Sequence, residues 1–396
     1  MKWIPIFTMC QTTQRKIYEQ MRSQMGEEQM NDQSAARTVR LILPVSVTGS
    51  RLRLCFKNAD LQTGEIQRIV IAKCTESGQI AEGTAQTVTF QGESYLTVEG
   101  QGRKTSDSLR INVKAGEYLA VSAYSESMNL SVNSIEAMMI QSEPGDLCDV
   151  TFQNVDPTPE FMRQRGLYMS PQFPMLSMIE IETEEAEPTV IGCLGDSITQ
   201  QGYWFYPLLK RICREIPEKA VLLNAGIAGN RLCKDSPENY GTLFGCAGVK
   251  RIEEDIFEIP YINTIIFALG INDLMSGESE YDSKPSPSAE EFGRACRQVA
   301  ERAGKANIHT VAYTLYPAFI DSDTEIGKKR EALFHAYNDE IRRAGFDKVI
   351  ELDPILKDPD GCQRYKEGMS QPDGLHLSDK GGAVLVETLC LEDLEH

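Results

Sequence analysis

Residues 189–199 read Thr189-Val-Ile-Gly-Cys-Leu-Gly195-Asp196-Ser197-Ile198-Thr199. An apolar run that halts at a glycine and two polar residues has the texture of a strand buried on both faces and ending in a turn. The same texture recurs at 220–224, 264–269, 309–314 and 349–352. Between these runs the apolar positions take the spacing of amphipathic helices, at 203–215, 288–303, 325–344 and 379–391. Ser288-Ala-Glu-Glu291 reads as a helix start, with an acceptor side chain at the cap and acids in the first turn. Buried strands alternating with helices predict a doubly wound, flavodoxin-like parallel α/β sheet over 189–396.

Upstream the texture differs. Short β-rich segments at 51–56, 68–72, 86–90, 95–98, 109–113 and 118–122 are separated by Gly, Asn and Ser clusters. That spacing predicts an all-β sandwich of jelly-roll type over residues 37–181. Residues 1–36, rich in Gln, Met and Glu, read as an N-terminal arm. Glu182-Thr-Glu-Glu-Ala-Glu-Pro188 reads as a linker at 182–188.

The 396 residues carry 40 basic and 58 acidic side chains, a formal charge of −18. Such a chain repels polyphosphate and anionic lipid, so nucleic acid and membrane surfaces are not expected partners. No run approaches the ~18 apolar residues of a membrane span. Residues 1–10 lack the pattern of a signal peptide, and a cytoplasmic location is the expectation. Eleven cysteines without a C-x-x-C pair argue against a disulfide framework or a zinc ribbon. No motif requires a cofactor or metal, and a homo-oligomer is compatible with the sequence.

Ligands of doubly wound sheets gather beyond the carboxyl ends of the strands. Those ends read Gly195-Asp196-Ser197, then Asn224-Ala-Gly226-Ile-Ala-Gly229-Asn230, then Gly270-Ile271-Asn272-Asp273, and Asp373-Gly374-Leu375-His376 precedes the last helix. Serine needs an adjacent base to act as a nucleophile. Of the four histidines, His309 and His335 fall in a strand and a helix, His396 lies in a terminal Leu-Glu-His, and His376 falls on a polar loop. His376 is therefore the candidate base, and Asp373 either orients its ring or only makes the turn. The Ser197 N–H, the Gly229 N–H and the Asn272 amide are candidate donors to an oxyanion.

These four blocks, in this order over residues 189–391, resemble those of the SGNH (GDSL-type) hydrolases, with Ile198 where the GDSL name has leucine. The chain is also similar to two-domain members that carry a β-sandwich before the catalytic domain. The resemblance implies ester hydrolysis through a Ser197-His376-Asp373 triad, with Ser197, Gly229 and Asn272 forming the oxyanion hole. It does not imply the substrate. A small-molecule or oligosaccharide ester is the expected partner, with acetyl as the acyl group.

Alternatives on the same site are a lipase or thioesterase, an acyltransferase, and a catalytically inactive carbohydrate-binding protein. Asp196 and Asp273 read as hydrogen-bonding neighbours of the site rather than a glycosidase carboxylate pair. Arg231 reads as a substrate contact or a surface ion pair, and Trp204 as core. The glycine-rich Gly241-Thr-Leu-Phe-Gly245-Cys-Ala-Gly248 reads as a flexible segment.

Overall fold

The structure is a computed structural model that describes residues 1–25, 36–127, 129–138, 141–150, 171–184, 187–279, 282–318, 320–321, 323–359 and 363–394. The apolar run quoted first is strand β1 (Thr189–Gly195), buried at every position after Thr189. It is joined by β2 (Ala220–Gly226), β3 (Ile262–Ala268), β4 (His309–Tyr313) and β5 (Lys348–Ile350) in the spatial order β2-β1-β3-β4-β5. The pairs β1–β3, β3–β4 and β4–β5 are parallel. This is the doubly wound order whose direction reverses between β1 and β3, so a ligand crevice is expected beyond their carboxyl ends. The alternation of apolar strands and amphipathic helices predicted this class.

The rim and the flanks are positioned by helices that include α1 (Ser197–Gln200), α2 (Phe205–Glu215), α3 (Gly248–Ile252), α4 (Ile271–Met275), α5 (Ala289–Lys305), α6 (Glu325–Arg343) and α7 (Asp379–Thr388). The start of α5 is a capping box. The Ser288 hydroxyl accepts from the Glu291 N–H, and the Glu291 carboxylate accepts from the Ser288 N–H at 2.8 Å. Two orphan donors of the first turn are thereby satisfied. The buried face of α5 carries Phe292, Cys296, Val299 and Ala303, at helical spacing. Phe292 stacks on Tyr337 of α6, with centroids 4.1 Å apart and planes 8° from parallel. Among the described residues, no helix is long and apolar enough to cross a membrane.

The chain divides into two compact units. One comprises Met1–Pro188 with Leu209–Val221 and Asn239–Leu243, and the other Thr189–Leu208, Leu222–Glu238 and Phe244–His396. The first is a mostly β unit built on two five-stranded antiparallel sheets, with a helix at Arg15–Met25. One sheet orders Lys2–Thr8, Leu176–Thr183, Gly49–Lys57 and Leu109–Val113, with Arg103–Thr105 also on Gly49–Lys57. The other orders Gln141–Pro144, Arg37–Pro44, Tyr118–Ser125, Arg68–Cys74 and Gln86–Thr87. In Gly49–Lys57, Leu52, Leu54 and Phe56 are buried while Arg51, Arg53 and Cys55 alternate with them, the period of a strand with one core face.

Two boundaries differ from the sequence reading. Residues 1–36 are not a separate arm in their described part, because Lys2–Thr8 is an edge strand with Ile4, Ile6 and Phe7 buried. Pro5 masks it in the sequence. Here it sits where the register shifts, a position that tolerates proline on an edge strand. Trp3 lies under the Arg53 guanidinium at 4.5 Å, and Arg53 holds Glu180 on the neighbouring strand in a two-pronged pair at 2.6 and 2.9 Å. The linker expected at 182–188 begins inside a strand, since Glu182 and Thr183 close Leu176–Thr183 opposite Trp3 and Lys2.

Phe292→Ala should destabilise the protein by about 3–5 kcal/mol, since a fully buried ring is removed from a stacked contact between two helices. Urea denaturation checks this, and a loss below about 1 kcal/mol would show that the α5–α6 interface repacks.

Candidate active site

Where β1 stops, the chain must turn sharply enough to start a helix. A Cβ on Gly195 would lie 2.0 Å from the Thr199 hydroxyl oxygen, so the turn admits only glycine. Asp196 then caps α1, its Oδ1 accepting from the Ile198 N–H at 3.0 Å. Ser197 becomes the first residue of α1, where a backbone N–H has no preceding turn to bond. The residue is buried, with 8% of its surface left exposed.

His376 reaches this hydroxyl from the loop before α7. Its Nε2 lies 2.8 Å from Ser197 Oγ, and its Nδ1 lies 2.6 Å from Asp373 Oδ2. The two readings of Asp373 are both satisfied, on different oxygens. Oδ1 accepts from the Leu375 and His376 N–H groups at 2.9 and 3.0 Å, which makes the turn, while Oδ2 faces the ring. Partial burial raises the Asp373 carboxyl. The ring and the two amides outweigh it and hold the group below the ordinary carboxylate range. The loop is anchored by Tyr365, whose hydroxyl donates to the Leu375 carbonyl at 2.9 Å, and by the Gln371 N–H on the His376 carbonyl at 2.8 Å.

The segment after β2 turns at Ile227–Asn230, closed by the Asn230 N–H on the Ile227 carbonyl at 3.1 Å. Gly229 has φ +70°, the value the third residue of a type II turn requires. A Cβ there would also lie 2.5 Å from the Phe244 ring. On α4, the Asn272 Nδ2 donates to the Asn230 carbonyl at 3.1 Å. An amide nitrogen carries two N–H groups, so one contact fixes the side chain and leaves its second donor for a ligand. Ser197, His376 and Asp373 are thus brought together, and Asn272 is tied to the residue that follows Gly229.

Residues 193–384 match the profile of the GDSL-like lipase/acylhydrolase family, just under half of the 396-residue chain. The C-terminal unit is a GDSL-like acylhydrolase domain. No curated protein matches the chain. Solved structures similar to it include an acetyl xylan esterase, AlAXEase, at 19% identity, covering 50% of this chain and 96% of that one, with a TM-score of 0.38. An acetylxylan esterase from Geobacillus stearothermophilus is 14% identical over 53% of this chain and 95% of its own, TM-score 0.38. A GDSL-like lipase from Bacteroides thetaiotaomicron is 14% identical over 50% and 84%, TM-score 0.36.

The polar residues around the GDSL-like site are used internally. Asp273 is buried and accepts from the Leu232 and Cys233 N–H groups at 2.6 and 2.9 Å. Burial raises its carboxyl above the ordinary range, opposed by those two amides. Arg231, read as a substrate contact or a surface ion pair, forms a pair that is buried, not at the surface. Its guanidinium is 5% exposed, meets Asp282 Oδ2 at 2.5 Å and donates to the Asp235 carbonyl. The glycine-rich segment read as flexible is pinned, since the Asn230 Nδ2 donates to the Phe244 and Cys246 carbonyls at 2.7 and 2.8 Å. Trp204 is fully buried against Tyr313, as core. Among the described residues, no cluster of three or more His, Cys, Asp or Glu side chains could hold a metal ion.

One residue escaped the sequence reading. Arg251 of α3 is buried and donates to the Gly195 carbonyl at 2.7 Å, the Ala225 carbonyl at 2.9 Å and the Asn230 Oδ1 at 2.8 Å. In the sequence it reads as half of an ordinary i,i+4 helix pair with Asp255, which it also makes, at 2.9 Å.

Asp196 supplies a pH test. Burial pushes its carboxyl up to about 7, against the pull of the Ile198 N–H and of His376 and Arg251. Between about pH 4 and pH 7 the folded protein therefore keeps a proton that the unfolded chain releases. The contribution of this group is fully present below the unfolded pKa and is lost as pH rises through 7. Asp196→Asn keeps the cap and removes the titration. Its urea stability should gain on the parent steadily from pH 4 to pH 8, and parallel curves would show that Asp196 ionises normally.

Proposed function

We propose that this chain is a serine carboxylester hydrolase that removes short acyl groups, acetyl foremost, from acylated carbohydrate. The observation that carries the reading is the continuous Ser197–His376–Asp373 relay at 2.8 and 2.6 Å. Asp373 is held ionised, so the proton of the neutral ring sits on Nδ1 and Nε2 is left to accept. Ser197 Oγ attacks the ester carbonyl carbon while its proton passes to Nε2. The oxyanion takes hydrogen bonds from the Ser197 and Gly229 N–H groups and the second Asn272 N–H. As the tetrahedral adduct collapses, the C–O bond to the alcohol breaks and Nε2–H protonates the leaving oxygen. Water then repeats the sequence on the acyl-enzyme, giving the acid and free Ser197.

A small acyl group is supported by what surrounds the serine. Among the described residues, the exposed large apolar side chains are Met1, Leu61, Tyr95, Val150, Tyr261 and Ile326, none in the turns that carry Ser197, Gly229, Asn272 or His376. The apolar side chains at or beside those turns, Leu375, Phe244 and Met275, are only half-exposed, which favours a short acyl group over a long one. Carbohydrate is supported by the β unit, where a cavity of about 210 Å³ is lined by Asn58, Asp60, Gln62, Ser131 and Tyr18. Hydroxyl and amide groups there can hydrogen-bond sugar hydroxyls, and Tyr18 offers a ring face.

With an aryl acetate, Ser197→Ala should abolish turnover with the fold intact, and retained turnover would remove Ser197 as nucleophile. Asn272→Ala should lower kcat by about 10²–10³ with KM little changed. Across a series of aryl esters kcat/KM should fall from acetyl to octanoyl, and acetylated xylo-oligosaccharides should lose acetyl groups by mass spectrometry. A preference for eight or more carbons would overturn the short-acyl assignment, and untouched oligosaccharides the carbohydrate one.

A further inference from the structure

The three proposed oxyanion donors come from three separate strand ends, yet one buried side chain touches the supports of two of them and reaches the third through Asn230. We infer that Arg251 is a positioning residue whose guanidinium sets the relative placement of the Ser197, Gly229 and Asn272 donors. The inference rests on the esterase reading above and deepens it.

The contacts divide by atom. Nη2 donates to the carbonyl of Gly195, two residues before Ser197. Nη1 donates to the carbonyl of Ala225 at the end of β2 and to Asp255. Nε donates to the Asn230 Oδ1, beside Gly229. Asn230 passes the constraint on. Its carbonyl accepts from Asn272, and its Nδ2 holds the carbonyls on either side of Gly245, beside the Phe244 ring that packs on Gly229. The Gly195 carbonyl also accepts from the Ile227 N–H, so the serine turn and the Gly229 turn are bonded to each other as well as to the guanidinium.

Only arginine can do this. Its rigid planar fork presents donors in fixed directions, whereas a lysine ammonium is a single point of attachment. The group is 6% exposed, and Asp255 balances its charge, so the fork does not seek water. An oxyanion hole works through donors fixed before charge develops, so loosening their supports should weaken the transition state and leave ground-state binding alone.

The test compares Arg251→Lys and Arg251→Met with the parent on an aryl acetate. Active sites are counted by the end-point amplitude of labelling with a fluorophosphonate. Turnover per labelled site should fall about 10²-fold in both variants, with KM within about threefold. Affinity for phenylboronic acid, whose serine adduct is tetrahedral, should fall by a similar factor. Lysine should not rescue, although it keeps the charge. Parent kcat per labelled site in either variant, whatever its melting temperature, would overturn the inference and leave Arg251 a structural residue. If neither variant folds, Asn230→Ala compared with Asn230→Asp carries the test, since both lose the Nδ2 links to Phe244 and Cys246 while the aspartate keeps an oxygen for Nε. A kcat per site about tenfold lower in the alanine variant than in the aspartate variant supports the inference, and equal values overturn it. Ser197→Ala is the control: if it keeps turnover the esterase reading itself fails, whereas an inert Ser197→Ala beside a fully active Arg251→Met sinks only the role of Arg251.

Discussion

Backbone groups that lose their partners where strands stop are the constraint behind this rim. A sheet satisfies its own N–H and C=O groups only along its paired length, and buried groups beyond it must find other partners. Here the partners are side chains. Asn224 spans two of these gaps, its Nδ2 donating to the Thr199 carbonyl at 2.8 Å and its Oδ1 accepting from the Gly226 N–H at 2.9 Å. Asp196 takes the Ile198 N–H, Asp273 those of Leu232 and Cys233, and Arg251 the carbonyls of Gly195 and Ala225. The candidate oxyanion donors therefore lie within a scaffold in which most other polar groups are engaged, Asp196 Oδ2 and Thr199 Oγ1 excepted.

The same economy accounts for the charges. Three buried acids, Asp196, Asp273 and Asp282, and two buried arginines lie beneath or beside the rim, and in low dielectric none is tolerated unless it is paired, hydrogen-bonded or neutral. Arg231 meets Asp282 and Arg251 meets Asp255. Asp273 is solvated by two backbone amides and Asp196 by one. The difference shows in the carboxyl of Asp196, which burial moves to about 7.

What the sequence disclosed and what it hid follow one division. Gly195 and Gly229 were legible because a close approach and a positive φ each demand a residue type, and Asp373-Gly374-Leu375-His376 because its geometry is local. The alternation of apolar strands and helices gave the sheet for the same reason: period is a local property. Arg251 was hidden because its meaning lies in acceptors 21 to 56 residues away. Arg231 and the segment around Phe244 were misread because nothing in their neighbours reveals that a buried Asp282 and the amide of Asn230 await them. The edge strand at Lys2–Thr8 was hidden by a proline that the edge tolerates, and its acidic neighbour Glu182 by charge that Arg51 meets across the ladder.

The Asp373–His376 spacing shows how local and distant constraints join. With Oδ1 accepting from the amides of residues 375 and 376, the carboxylate plane is fixed by the same turn that carries the ring. The 2.6 Å approach to Nδ1 is therefore set by three consecutive peptide units and needs no packing from elsewhere. The approach of Nε2 to Ser197 has no such local guarantee, because 179 residues separate the two. It is supplied by Tyr365 on the Leu375 carbonyl, by Gln371, whose side chain donates to the Leu377 carbonyl and to Gln201 at the end of α1, and by the Ser378 cap that starts α7. A relay assembled this way separates two tasks. The turn sets the carboxylate against Nδ1 of the candidate base, and the anchors decide whether its Nε2 meets the candidate nucleophile.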